Sequence, residues 1–341
     1  MTIRVAINGF GRIGRSFIRA SLANDANYEI VAVNDLVESS TNAHLLKFDS
    51  TQGKLKGTVE VDGDDLVLNG KKIKILSERD PKDLPWNEMG IDVVVESTGR
   101  FASRDQAAAH LDAGAKYVVV SAPCDKADIT VVMGVNDSSF DPHSHKVLSN
   151  ASCTTNCFVP MIKVLDDNFE VKTALMTTVH AMTNDQNLLD LAHKDLRRAR
   201  AASINIVPAS TGAARATGLV LSSMVGKLDG TALRVPVPVG SITDVTAVVE
   251  RSVKKDEVCQ AFKDASESKE LNGILRYSDE PIVSSDIVGD PASCIFDSPL
   301  TLAQPISDKE TLVKIFGWYD NEWGYSSRLV DLVILIGEKI S

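Results

Sequence analysis

The run Gly9-Phe10-Gly11-Arg12-Ile13-Gly14, directly after the β-branched segment Ile3 to Asn8, most narrows what this chain can fold into. The segment before it reads as a short strand, and Ile13, Phe17, Ile18 and Leu22 recur after it at helical spacing. Missing side chains at the three glycines let the backbone turn sharply and come close to a pyrophosphate. The helix N-terminus then offers it N–H groups and a partial positive charge. A tight packing turn would use the same glycines. The next strand, Glu29 to Val33, shifts the reading toward a dinucleotide, because it ends in Asn34-Asp35. A carboxylate there accepts from an adenosine ribose and repels a 2′-phosphate, so NAD is expected rather than NADP.

Buried strands are expected at Asp92–Ser97, Tyr117–Ser121 and Ile129–Met133, a helix at Arg104–Leu111, and a polar hairpin around Asp62-Gly63. Strands alternating with helices predict a doubly wound, Rossmann-type α/β domain. After Asn150 the strands lengthen and alternate, at Lys172–His180, Thr231–Pro236 and Thr243–Arg251, which predicts an α+β catalytic domain with a mainly antiparallel sheet. A chain of 341 residues exceeds one ordinary core. The expected division is residues 1–150, completed by a C-terminal segment 316–341 whose helix covers Tyr325 to Ile340, and residues 151–315.

The net charge of -10 speaks against a dedicated nucleic-acid site or an anionic membrane surface, while leaving room for a local cationic pocket. The five cysteines are odd in number and include no Cys-x-x-Cys pair, so a disulfide framework is not expected and a reducing cytoplasm is. No apolar signal run opens the sequence, and Val330–Ile336 is too short to span a bilayer.

Ser152-Cys153-Thr154-Thr155-Asn156-Cys157 precedes an amphipathic run, which places Cys153 in the first turn of a helix. There the helix dipole would lower the thiol pKa and favour a resting thiolate nucleophile. A cysteine is more often a small buried hydrophobe, and the polar neighbours favour the nucleophile here. Cys157 reads as structural, and no metal site is expected, since a Cys-x-x-x-Cys pair would need two more ligands. His180 ends a strand and fits either a satisfied core histidine or a general base. Arg197, Arg198 and Arg200, Ser210-Thr211-Gly212, and Arg234 in an otherwise apolar strand form a phosphate-binding kit or a salt-bridge network.

Along nearly its whole length the chain resembles the glyceraldehyde-3-phosphate dehydrogenases. The resemblance is carried by Asn8–Gly14, Ser149–Cys157, Asp195–Arg200, Ser210–Ala214 and Trp318–Ser326. It implies that Cys153 attacks the aldehyde to give a thiohemiacetal and that His180 removes the hydroxyl proton as hydride leaves for NAD. Inorganic phosphate then opens the thioester to give 1,3-bisphosphoglycerate. Thr183 and Arg234 would hold the phosphate of glyceraldehyde 3-phosphate. Ser152, Thr154, Thr211, Gly212 and Arg198, with Arg197 as the alternative, would hold the attacking phosphate. Gly9, Gly11, Arg12, Ile13 and Gly14 would line the pyrophosphate, Asp35, Arg79 and Ser121 the adenosine half, and Asn321 the carboxamide. A homotetramer is implied through the loop between His180 and Pro208. The competing readings are an erythrose-4-phosphate dehydrogenase, in which water resolves the thioester, and a non-catalytic binding protein on the same fold.

Overall fold

Arg4–Asn8 is a strand and Arg12–Ala23 a helix with Gly11 as its N-cap, in a computed structural model that describes residues 2–340. Gly9 at the junction has φ 92°, and a Cβ there would lie 2.6 Å from the Thr98 nitrogen. A Cβ on Gly14 would lie 2.3 Å from the Gly9 oxygen, so the turn closes only without these side chains. The helix buries Phe17 and Ile18, but Leu22, expected on the same face, is exposed at its edge.

Two units form. The first comprises residues through Val131, Ser138–Ala151 and Ser326 onward; the second comprises Val132–Asp137 and Ser152–Tyr325. Among the described residues the first carries a nine-stranded sheet. Its order is Ile129–Thr130, Val147–Ser149, Tyr117–Val120, Val93–Glu96, Arg4–Asn8, Glu29–Asn34, Lys71–Leu76, Asp65–Leu68, Val59–Asp62. Pairing is parallel as far as Lys71–Leu76, and the last two strands add antiparallel at that end. Strands buried on both faces read as continuous runs, as Val93-Val94-Val95 and Val118-Val119-Val120 do.

The second unit holds an eight-stranded, largely antiparallel sheet. Its order is Val207–Ser210, Leu228–Val235, Val171–Ala181, Ser241–Val249, Thr311–Tyr319, Cys294–Asp297, Leu275–Ser278, with Leu302–Pro305 paired to Thr311–Tyr319. Two pairs run parallel: Val171–Ala181 with Leu228–Val235, and Leu275–Ser278 with Cys294–Asp297. The helix Cys153–Phe169 covers one face, burying Phe158, Met161, Ile162 and Leu165 in the same core as Val245, Ala247, Val313 and Ile315.

Several expectations shift. Residues 316–341 were expected with the first domain, but Thr311–Tyr319 bonds along its whole length to Ser241–Val249, so it belongs to the second unit's sheet and the first unit resumes at Ser326. The Arg104–Leu111 helix is two short pieces, Arg104–Ala107 and Ala109–Asp112. The Ile129–Met133 strand is only Ile129–Thr130, because the chain passes into the second unit at Val132.

The second core is keyed by Phe262 stacked on Phe296, with centroids 4.0 Å apart and both rings fully buried. Phe262→Ala is expected to lower the unfolding free energy by about 3–5 kcal/mol, read from urea denaturation followed by circular dichroism.

Candidate active site

Ser152 is the N-cap of the Cys153–Phe169 helix and accepts the Thr155 N–H at 3.0 Å. The preceding Ala151 has φ 54°, a left-handed conformation that costs an L-residue about 1–2 kcal/mol. Cys153 therefore begins the helix, as the sequence predicts, and its Sγ lies 3.3 Å from His180 Nε2.

The sheet delivers the partners. His180 and Arg234 are direct register partners across the parallel pair of strands. The Ala181 carbonyl takes Arg234 Nη1 at 3.0 Å and His180 Nδ1 at 2.7 Å, and Arg234 Nη1 lies 2.7 Å from that ring nitrogen. Nδ1 thus faces both an obligate acceptor, the Ala181 carbonyl, and an obligate donor, Arg234 Nη1, while Nε2 faces the sulfur. Tyr319, on the strand from Thr311, closes the floor: its hydroxyl lies 2.9 Å from the Thr154 hydroxyl and 2.8 Å from that of Thr178.

The electrostatics of the pair pull in opposite directions. Burial pushes the Cys153 thiol up to about 11, against the opposing pull of Arg234, the Thr154 N–H and hydroxyl, and the Cys153 N–H. Burial, and then Arg234, pushes His180 down to about 3. Burial thus works against a charge on either partner taken alone, while the 3.3 Å separation would let a thiolate and an imidazolium stabilise each other. Desolvation outweighs the dipole at this depth. Cys153 still keeps some exposure, whereas Cys157 is fully buried, donates toward the Gly317 carbonyl at 3.5 Å, and is structural as expected.

The anion-binding candidates converge in part. The Thr183 hydroxyl and Arg198 Nη1 both donate to Asp185, the latter at 2.6 Å. Burial would raise the Asp185 carboxyl, but the Thr183 bond and the charges of Arg234 and Arg198 hold it below its ordinary range. Arg198 Nη2 also donates to the Ser210 carbonyl at 3.3 Å, which ties it to the turn where Thr211 and Gly212 start the Ala213–Val220 helix. Arg197 caps its own turn by donating its N–H to Asp195, so Arg198 is the arginine aimed at that turn. Thr154 is buried, and its hydroxyl meets Tyr319 rather than facing outward.

In the first unit Gly9, Gly11, Asp35 and Arg79 line one cavity of about 310 Å³, together with Asn8, Asn34 and Thr98. Asp35 accepts the Phe10 N–H at 2.7 Å and the Val37 N–H at 2.9 Å, and each oxygen keeps a further lone pair for a ribose hydroxyl. Ser121 follows the Tyr117–Val120 strand, its N–H bonded to the Glu96 carbonyl. Ile13 lies in the first helical turn. The Arg12 side chain forks onto Asp49 at 2.7 and 3.2 Å and bonds Thr51, while its backbone opens the first helical turn beside Ile13. In the second unit Asn321 is buried, with Oδ1 accepting from Gly240 N and Ser241 Oγ, both at 3.1 Å. The glycine cradle and the acid at the strand end, within the first unit, fit the pyrophosphate and adenosine ribose of a dinucleotide.

Sequence reasoning missed Tyr319, Asp185, Asp49 and Ser241. Tyr319 was legible: it falls on the buried phase of the alternation Thr311, Val313, Ile315, Gly317, Tyr319. Asp185 and Asp49 pair across loops, which no periodicity records.

A two-domain, dinucleotide-dependent oxidoreductase with a cysteine–histidine pair is the class this fold and site define. A sequence profile for the "Glyceraldehyde 3-phosphate dehydrogenase, C-terminal domain" matches residues 152–321, and one for its "NAD binding domain" matches residues 3–104. The chain is 58% identical over 340 positions to the glyceraldehyde-3-phosphate dehydrogenase of Streptomyces coelicolor, covering all of both chains. It is also 58% identical over 346 positions to that of Mycobacterium tuberculosis H37Rv, again covering all of both, and 53% identical to that of Kitasatospora aureofaciens over 98% of this chain and 99% of that one. The chain belongs to the glyceraldehyde-3-phosphate dehydrogenase family.

The depressed His180 pKa has a stability signature. Below pH 6.5, the ordinary value, the unfolded chain protonates this ring while the folded chain holds it neutral down to about 3. The stability it contributes is complete above pH 6.5 and lost as pH falls toward 3. His180→Gln is expected to flatten the decline between pH 6.5 and 4.5 by up to about 1.4 kcal/mol per pH unit, read from urea midpoints of the two proteins.

Proposed function

We propose that the protein oxidises glyceraldehyde 3-phosphate to 1,3-bisphosphoglycerate, using NAD and inorganic phosphate, through covalent chemistry at Cys153. The observation that carries this is the 3.3 Å approach of Cys153 Sγ to His180 Nε2 at a capped helix start.

His180 Nε2 takes the thiol proton as Sγ attacks the aldehyde carbon, and passes it to the aldehyde oxygen to leave a neutral thiohemiacetal. The Cys153 N–H and the protonated Nε2 hold the oxyanion as it develops. His180 then takes the hydroxyl proton back while the C1–H bond breaks. Bound NAD supplies the hydride acceptor for that step. The carbon is now a thioester. A phosphate oxygen adds to it, the C–S bond breaks, the sulfur recovers its proton from His180, and one proton in total leaves to solvent. The relay runs with the ring proton on Nδ1, donated to the Ala181 carbonyl, so that Nε2 can take the thiol proton.

Thr183 and Arg234 are assigned to the substrate phosphate. Arg198, Thr211 and Gly212 are assigned to the attacking phosphate, with Ser152 and Thr154 serving as helix cap and floor. The Arg198 fork and the N-terminus of the Ala213–Val220 helix support a phosphate rather than water as the acyl acceptor, which favours this reading over erythrose-4-phosphate oxidation. Asp35 and Arg79 are assigned to the adenosine ribose, and Asn321 to the carboxamide.

We infer work in the cytoplasm, because the five cysteines are free and no described helix is long and apolar enough to cross a membrane. A homotetramer accounts for Leu188, Leu189, Leu191, Leu196, Ile204 and Ile206, whose exposures are 65–82% within one stretch between His180 and Pro208. Leu191→Asp with Leu196→Asp is expected to lower the mass seen by light scattering; an unchanged tetramer mass removes this stretch from the interface.

With glyceraldehyde 3-phosphate and NAD, absorbance at the NADH band should rise steadily only when phosphate is present. Cys153→Ser should lower kcat by at least ~10³-fold. Steady turnover without phosphate, or faster oxidation of erythrose 4-phosphate, contradicts the proposal.

A further inference from the structure

We infer that Ser241 is a positioning residue, whose one hydroxyl orients both the Asn321 amide and the peptide that holds His180. The inference rests on the assignment of Asn321 to the nicotinamide carboxamide.

The directions of these bonds follow from groups that have no choice. The Ala181 N–H only donates, and it lies 3.0 Å from Ser241 Oγ, so that oxygen accepts there. The serine proton is then free to go to Asn321 Oδ1 at 3.1 Å. The Gly240 N–H, also an obligate donor, points at the same Asn321 atom at 3.1 Å. Two donors therefore fix that atom as the carbonyl oxygen, and the amide nitrogen must face the other way. Its hydrogens go to no partner among the described residues, which leaves them for a carbonyl such as that of a carboxamide.

The other end of the chain of bonds reaches the catalytic ring. The Ala181 peptide that gives its N–H to Ser241 gives its carbonyl oxygen to His180 Nδ1 and Arg234 Nη1. Ser241 is 1% exposed and starts the Ser241–Val249 strand, so water does not replace its hydroxyl. Removing the hydroxyl leaves the Ala181 N–H without an acceptor and lets the Asn321 amide rotate. An amide flipped by 180° presents an oxygen where a donor is needed, and the ring it anchors loses its single orientation.

Ser241→Ala is expected to weaken NAD binding, measured by titration calorimetry, about 5–10-fold, the loss of one buried hydrogen bond. KM for NAD should rise more than kcat falls. Oxidation of C1-deuterated aldehyde should place part of the label on the second face of the nicotinamide, whereas wild type labels one face. In cofactor-free protein, hydrogen exchange at the Ala181 amide should accelerate, and alkylation of Cys153 by iodoacetamide should slow as the His180 ring loses its fixed orientation. Ser241→Cys keeps the volume with a weaker donor and acceptor; it is read by the same label if Ser241→Ala does not fold. Wild-type binding and a single labelled face in the folded variant overturn the inference. Asn321→Ala separates the two readings: if it too leaves NAD binding unchanged, the assignment of Asn321 fails, and if it alone weakens binding, only the role of Ser241 fails.

Discussion

The site depends on one parallel pairing inside a sheet that is otherwise mostly antiparallel. Val171–Ala181 lies parallel to Leu228–Val235 in a register that sets His180 opposite Arg234. On its other side the same strand runs antiparallel to Ser241–Val249, which brings Ser241 to the Ala181 peptide. A slip of one residue in either register would turn these side chains to the opposite face. The apolar residues that hold the register, Ala174, Met176, Val245 and Ala247, are all buried in one core with the helix that carries Cys153. Catalytic geometry and core packing are therefore one constraint: the helix cannot settle on the sheet without presenting the sulfur to the ring.

That packing also explains the protonation state. A helix start favours a thiolate, but the depth that secures the geometry strips water from the sulfur, and desolvation acts on the whole charge while the dipole offers about half a charge. The same depth lowers the imidazole. Burial therefore opposes a charge on each partner taken alone, and the proton exchange proposed between Sγ and Nε2 leaves the total charge of the pair unchanged.

Much of this was legible in the sequence. The glycine turn, the acid at the second strand end and the polar cap around Cys153 each have a local physical signature, and the structure realises all three. The alternation of Lys172–His180 and Thr243–Arg251 pointed to a half-buried antiparallel sheet, which the pairing of Val171–Ala181 with Ser241–Val249 bears out. Missing from the sequence were pairings between segments far apart in the chain. The bond of the Arg12 guanidinium to Asp49, 37 residues on, is one such pairing. The domain end was placed early at 316 because a last strand and the helix after it look alike as one apolar stretch; only the pairing with Ser241–Val249 separates them. The burial that opposes a thiolate at Cys153 was not readable either, because dipole effects are local whereas burial is a property of the assembled core.

A chain of net charge -10 that takes phosphates must do so locally. Across water and salt, charges farther apart than about 8–10 Å scarcely interact, so the acidic surface does not set the potential inside the site. What counts there is the pairing around Asp185. It holds Thr183 and Arg198 together, and its own carboxyl feels Arg234. One carboxylate thus bonds Thr183 and Arg198 and feels the charge of Arg234, three groups we assign to two different phosphates. An incoming phosphate must outbid that carboxylate. Its second negative charge and three equivalent oxygens let it do so, which a neutral or singly charged group cannot. In this arrangement the acid is part of the selectivity for phosphate, rather than a remnant of the acidic background.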